Sequence, residues 1–248
     1  MLFKLLLAVA LIGLVSSQAT TKTQCKKDSF LKCQHGFANA ISISTKNDWS
    51  NPGGLAIALQ NIFITGNLKK QNGLVAVCNA YNLLLNCLNN DGIAVDTCFD
   101  PIYMIQNDQK KEAAYPYAML MNMLKFQCGA GFYPAMDNWP CIQSVYKNKN
   151  ATLQGVVYNF LLNTENDPRN SCQYTKTGIL QYQKAFAMCH TPEVSYYGCE
   201  SFRQFVNIQY FACPDKCVVS APYKYAESYV EEQPKEKMIA ELPNEADF

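Results

Sequence analysis

The sequence predicts an all-α, disulfide-rich helical bundle of about five to six helices, followed by a disordered acidic C-terminal tail. Three observations carry that expectation. Twelve cysteines, an even number, all follow an apolar N-terminal leader. Between them apolar residues recur at intervals of three and four, the period of a helix with one buried face. Strand evidence is thin: ISIS at 41–44 alternates but is too short to stand alone.

The leader reads MLFKLLLAVALIGLVSSQA. Lys4 precedes an apolar run from Leu5 to Val15, and the small residues Ser16 and Ser17 follow. That order is a secretory signal peptide over 1–17, with cleavage expected after Ser17, although cleavage after Ala19 also fits. Eleven apolar residues fall short of the roughly 20 that span a bilayer, so no membrane span is expected. The destination is the extracellular space.

Residues 18–72 read as an N-terminal arm with one helix, Gly54 to Thr65 (GLAIALQNIFIT), entered through the turn-rich NDWSNPG. Residues 73–217 read as the cysteine-rich helical domain. In GLVAVCNAYNLLLNCLNN, Cys78, Tyr81, Leu84 or Leu85, and Leu88 share one face, and Asn90-Asp91-Gly92 ends the helix. Glu112 to Cys128 aligns Tyr117, Leu120 or Met121, Leu124 and Cys128, with Pro116 marking its first turn. Leu153 to Asn163 is short and apolar, a helix or else a buried strand. Gly178 to Cys189 and Cys199 to Cys213 close the domain, the latter with Phe202, Phe205, Val206 and Tyr210 in register. The many Tyr and Phe on these stripes read as core filling between stapled helices.

After Cys217 the composition shifts. Residues 218–248 hold seven acids, three lysines and three prolines, a net −4 against +4 on residues 18–217. The tail reads as a solubilising appendage, with a docking segment for a basic partner as the alternative. A body charge of +4 over 200 residues is weak for nucleic acid, and no such partner is expected.

Cys25, Cys33, Cys78, Cys87, Cys98, Cys128, Cys141, Cys172, Cys189, Cys199, Cys213 and Cys217 are read as disulfide partners, since an even count in a secreted chain leaves no thiol over. Metal ligation would need Cys-x-x-Cys pairs or histidine; the chain has no such pair and two histidines, His35 and His190. A nucleophilic thiolate is opposed by an oxidising compartment. Cys78 and Cys87, about 13 Å apart along one helix, must reach different partners. The expected pairing is local within Cys78–Cys141 and within Cys172–Cys217, with Cys25 and Cys33 tying the arm to the body. Asn150-Ala151-Thr152, in the loop KNKNAT, is an N-glycosylation sequon, so Asn150 is the expected glycan site.

No G-x-S-x-G, H-E-x-x-H, P-loop or dinucleotide fingerprint occurs, and no paired carboxylates stand out by spacing. Phospholipase A2 chemistry needs adjacent cysteines before a metal-orienting histidine, and this chain has no Cys-Cys. No catalytic residue, metal or cofactor is assigned, and no enzyme is expected.

CNAYNLLLNC, LMNMLKFQCGAGFYPAMDNWPCIQSV and SCQYTKTGILQYQKAFAMCH together resemble the nematode-restricted secreted cysteine-rich domains. Two neighbouring groups fit: domain of unknown function 19 and the core domain of chondroitin proteoglycan 4. The likeness spans about residues 78–217 and rests on pattern: cysteines at helix ends, the helix-Phe-x-Cys128 step, and Cys141 followed by Ile142. It implies a secreted all-α disulfide domain with an extracellular-matrix or body-fluid role and no established catalytic residues. Chondroitin attachment needs Ser-Gly, which this chain lacks. The expected function is a secreted, monomeric interaction module for an extracellular protein, glycan or matrix component. The alternative is an extracellular carrier of a small apolar ligand or lipid between helices.

Overall fold

The computed structural model describes residues 22–66 and 71–219. The expected leader lies outside these residues, as does the expected tail from residue 220 on. The described residues hold eleven α-helices: α1 Lys27–Ala40, α2 Pro52–Thr65, α3 Gly73–Asn90, α4 Val95–Cys98, α5 Pro101–Gln106, α6 Lys111–Gln127, α7 Phe132–Asp137, α8 Trp139–Asn148, α9 Asn150–Asn166, α10 Ser171–Ala187 and α11 Pro192–Asn207. A 3₁₀ turn, Pro168–Asn170, separates α9 from α10. The bundle class holds, but five to six helices was too few. The six expected segments became α2, α3, α6, α9, α10 and α11. The rest are α1 and four pieces of four to ten residues in what read as connections.

Boundaries moved for identifiable reasons. Helices α10 and α11 each begin seven residues earlier than their apolar stripes, because SCQYTKT and PEVSYYG add polar first turns. Pro192 opens α11 at the position where a missing N–H leaves no helical bond unmade. Tyr210, expected on that helix, lies beyond its end and meets the Phe160 ring edge-on at 5.5 Å. Pro116 sits inside α6 rather than in its first turn. The apolar segment 153–163 is helical, within α9.

Two helices end in the same local device. At the end of α3, Ile93 N–H bonds Leu88 O and Gly92 N–H bonds Asn89 O, with Gly92 at φ 71°. This paired closure places one residue in the left-handed region, where glycine carries no Cβ penalty. At the end of α1 the same bonds run from Ile43 to Ala38 and from Ser42 to Asn39, but the left-handed residue is Ser42, at φ 59°. The ISIS segment is thus a helix terminus. Among the described residues the sole strand-like pairing is an isolated parallel bridge, Thr23 with Ile93.

Helix α6 is the spine. Its Met119, Leu120 and Met121 are buried in succession, which an amphipathic surface helix cannot do; α6 packs on α11, α2, α3 and α5. Helices α1, α2 and α3 gather on one side and α9, α10 and α11 on the other, around one continuous core. Aromatic rings fill it. Phe63 stacks on Tyr146 at 4.9 Å, and Phe186 meets Tyr146 and Tyr197 edge-on at 5.5 and 5.6 Å. Buried polar groups are tied in: Gln127 donates to Tyr146 and Ser201, and Glu200 accepts from Arg203 and Gln204.

All twelve cysteines are paired. Cys25–Cys98 and Cys33–Cys87 join the N-terminal segment to the body, and Cys78–Cys128 joins α3 to the end of α6. Cys172–Cys213 and Cys199–Cys217 clamp the C-terminal strap onto α10 and α11. Cys141–Cys189 departs from the expected local pairing, because it links the two cysteine groups. Counting requires such a link: once the arm takes two partners from the first group, an odd number remains on each side.

Burial has a pH consequence. Enclosure in the core drives the phenols of Tyr117, Tyr146, Tyr182 and Tyr197 above their ordinary 10.0. In the folded chain they stay neutral where the unfolded chain ionises. Their contribution is therefore intact below pH 10 and is lost as pH rises from 10 toward the folded values. Each such tyrosine removes about 1.4 kcal/mol per pH unit in that window. Urea midpoints should be flat from about pH 7 to 9 and fall steeply above about 10. A flat profile through that window would contradict the burial of these rings.

Candidate functional site

The residue types that carried chemical interest in the sequence are accounted for one by one. No cysteine is free, so no thiol is available as nucleophile or ligand. His35 is exposed on α1; His190 is exposed at φ 56° just past α10, and neither hydrogen-bonds a carboxylate. Among the described residues no three His, Cys, Asp or Glu side chains gather where they could hold a metal ion. No described helix is long and apolar enough to cross a membrane.

Asn150 is the first residue of α9, with only Lys149 between it and α8, so KNKNAT is a helix junction and not a loop. Its Oδ1 is enclosed without a hydrogen-bond partner, whereas Ala151 and Thr152 are exposed.

Lack of charge marks three of the longer helices. Helices α2, PGGLAIALQNIFIT, and α3, GLVAVCNAYNLLLNCLNN, hold no Asp, Glu, Lys or Arg, and α9, NATLQGVVYNFLLNTEN, holds Glu165 alone of these. A surface helix of a globular protein ordinarily turns a charged face to water. Helix α3 exposes Leu83 at 56%, and α2 and α9 as a pair expose Ile57, Tyr158 and Leu162, at 52%, 65% and 40%.

Two amide bonds orient the pair. Gln143 of α8 donates to Ile64 O at 2.8 Å, and Gln154 of α9 donates to Gln60 Oε1 at 3.0 Å. Advancing along α8 and α9 therefore means retreating along α2. Ile57 stands one turn before Gln60, and Tyr158 one turn after Gln154.

On the opposite flank of α2 lies an open cleft of about 470 Å³, between α2 and the 41–47 loop. Ile41, Ile43, Ala58 and Ile62 line it together with Ser42, Ser44, Asn47, Asn61 and Thr65. A smaller depression of about 150 Å³ follows the α9–α10 seam over Phe160 and Gly178. Among the described residues neither has a charged one in its wall.

This arrangement offers apolar surface with neutral hydrogen-bonding groups at its edge. It can select a ligand by shape and hydrogen bonding, and it supplies no group that titrates near neutrality. Sequence reading did not single out Ile57, Tyr158, Ser42 or Asn61. The usable signal was the near absence of charge in α2 and α9, which α3 shares, in a chain that is 17% charged. No family model matches this chain, and no curated protein or solved structure is similar enough to it to match.

Proposed function

We propose that the protein is a secreted, monomeric interaction module that binds another extracellular molecule through the uncharged face of α2 and α9. The observation that carries this reading is a scaffold locked by six intramolecular disulfides that turns Ile57 and Tyr158 to solvent beside an amide bridge. Such cross-linking is characteristic of oxidising compartments, where it stabilises the fold without any metal. Contiguous apolar surface rimmed by polar groups marks docking sites, and this reading joins Ile57 and Tyr158 in one such surface. The resemblance to nematode secreted cysteine-rich domains points the same way. A second reading, a carrier of a small apolar ligand, draws support from the cleft volume, which lies within the roughly 300–1,000 Å³ of small-molecule sites.

Capture from extracellular fluid tests the leading reading. The Ile57→Lys/Tyr158→Lys double variant should retain at least about tenfold less of any specific partner than the unaltered chain. A chain ending at Val219 should retain as much as the full one. Equal capture by the double variant would refute the proposed face. Organic extraction of the purified protein addresses the carrier reading, which requires a stoichiometric co-purified lipid.

A further inference from the structure

We infer that the cleft between α2 and the 41–47 loop is a binding site for a small neutral amphiphile, one with a short apolar part and an uncharged, hydroxyl-rich head. The inference rests on the carrier reading, to which it adds a ligand class and an address, and is independent of the docking face.

The cleft divides into an apolar side and a polar edge. Ile41, Ile43 and Ile62 form its apolar side; Ile41 and Ile62 are 4% and 7% exposed and so are fixed by the core behind them. Ser42, Asn61 and Thr65 form a polar edge. Thr65 spends its hydroxyl on Asn61 O at 2.9 Å, but the side chains of Ser42 and Asn61 have no protein hydrogen-bond partner among the described residues. Two neutral groups that can both donate and accept therefore stand at the mouth of an isoleucine-lined recess.

Charge decides the ligand class. An ionic head placed against this wall would lose hydration and find no counter-charge among the described lining residues. Hydroxyl groups could exchange water for Ser42 and Asn61 at little net cost while the apolar part leaves water.

The loop wall is also pre-shaped. Ser42 is held in the left-handed region by the paired closure of α1, through Ile43 N–H to Ala38 O at 3.0 Å. A backbone held there by its surroundings fixes the place from which the serine side chain reaches the cleft edge.

Octyl β-glucoside below its micelle threshold is the probe, read by two-dimensional amide NMR on the full chain. Saturable shifts confined to residues 41–47 and 58–66 are expected. Octyl sulfate and octyltrimethylammonium should bind about tenfold more weakly. Ala58→Trp, which fills the cleft from the outer side of α2, should weaken the glucoside by a similar factor. Asn61→Asp changes charge at constant volume, so the trimethylammonium probe should then bind more tightly than the sulfate; this arm stands if the tryptophan variant fails to fold. Absent or scattered shifts, or equal binding of all three heads, would overturn the inference. If partner capture is lost in Ile57→Lys/Tyr158→Lys while the glucoside ignores the cleft, only this inference falls. If the glucoside binds as described and capture is unchanged, only the docking face falls.

Discussion

Replacing Cys25 and Cys98 together by alanine should lower the stability of the protein by about 4.5 kcal/mol, and replacing Cys199 and Cys217 by about 3 kcal/mol. The ranking follows from loop closure. The first bridge spans 73 residues and the second 18, and a cross-link restricts the unfolded chain more when its loop is longer. Local burial does not separate the pairs strongly, because Cys98 and Cys199 are each enclosed. Apart from the disulfide, the N-terminal segment is held there by hydrogen bonds: the Thr23–Ile93 bridge, Lys22 to Asn89 Oδ1, the Thr23 hydroxyl to Gly92 O, and the Cys25 N–H to Thr97 Oγ1. Guanidinium unfolding of the two double variants, against the unaltered chain, measures the difference directly. The opposite ranking would mean that native contacts around the C-terminal strap, and not chain entropy, set the value of these bridges.

How legible the fold was depends on where the apolar residues stand. Helices such as α3 announce themselves, because Cys78, Tyr81, Leu84 and Leu88 repeat at helical spacing through eighteen residues and a left-handed glycine closes them. Helix α1 carries the same spacing in Phe30, Cys33, Phe37 and Ala38, but charged neighbours and the buried Gln34 interrupt the stripe. Gln34 is enclosed because its Oε1 accepts the Trp49 N–H at 2.9 Å, a contact set by tertiary structure. The short helices α4, α5 and α7 are too brief for periodicity to register at all.

Disulfide partners divide in the same way. The separation of Cys78 and Cys87 on one helix forbids their mutual bond, so different partners were required, and Cys128 and Cys33 supply them. Nothing local marks Cys141 and Cys189, which meet because α8 and α10 are neighbours in space. The candidate face escaped for a related reason. Apolar residues on α2 and α9 read as core, and only three-dimensional placement shows that Ile57 and Tyr158 have nothing packed over them.

Gly198→Ala is expected to destabilise the protein by about 2 kcal/mol, although helix propensity alone would favour alanine by about 1. The closest helix pair in the bundle, α10 with α11, interlocks two glycines with two rings. A Cβ on Gly178 would lie 2.3 Å from Phe202 Cε1, and one on Gly198 would lie 2.5 Å from Phe186 Cδ2 and 2.7 Å from its Cβ. Both rings are fully buried, and Phe186 is wedged between Tyr146 and Tyr197, so it has nowhere to turn. The obstacle on Gly198 includes a Cβ close to the α10 backbone, so relief demands that the two helices part. Gly155 of α9 provides the control, since a Cβ there meets nothing within 4 Å. Gly155→Ala should therefore raise stability by about 0.5–1 kcal/mol, and urea unfolding should move the two midpoints in opposite directions. Were both variants to gain, the α10–α11 contact would be looser than these distances allow, and the docking of the aromatic core against it would have to be redrawn.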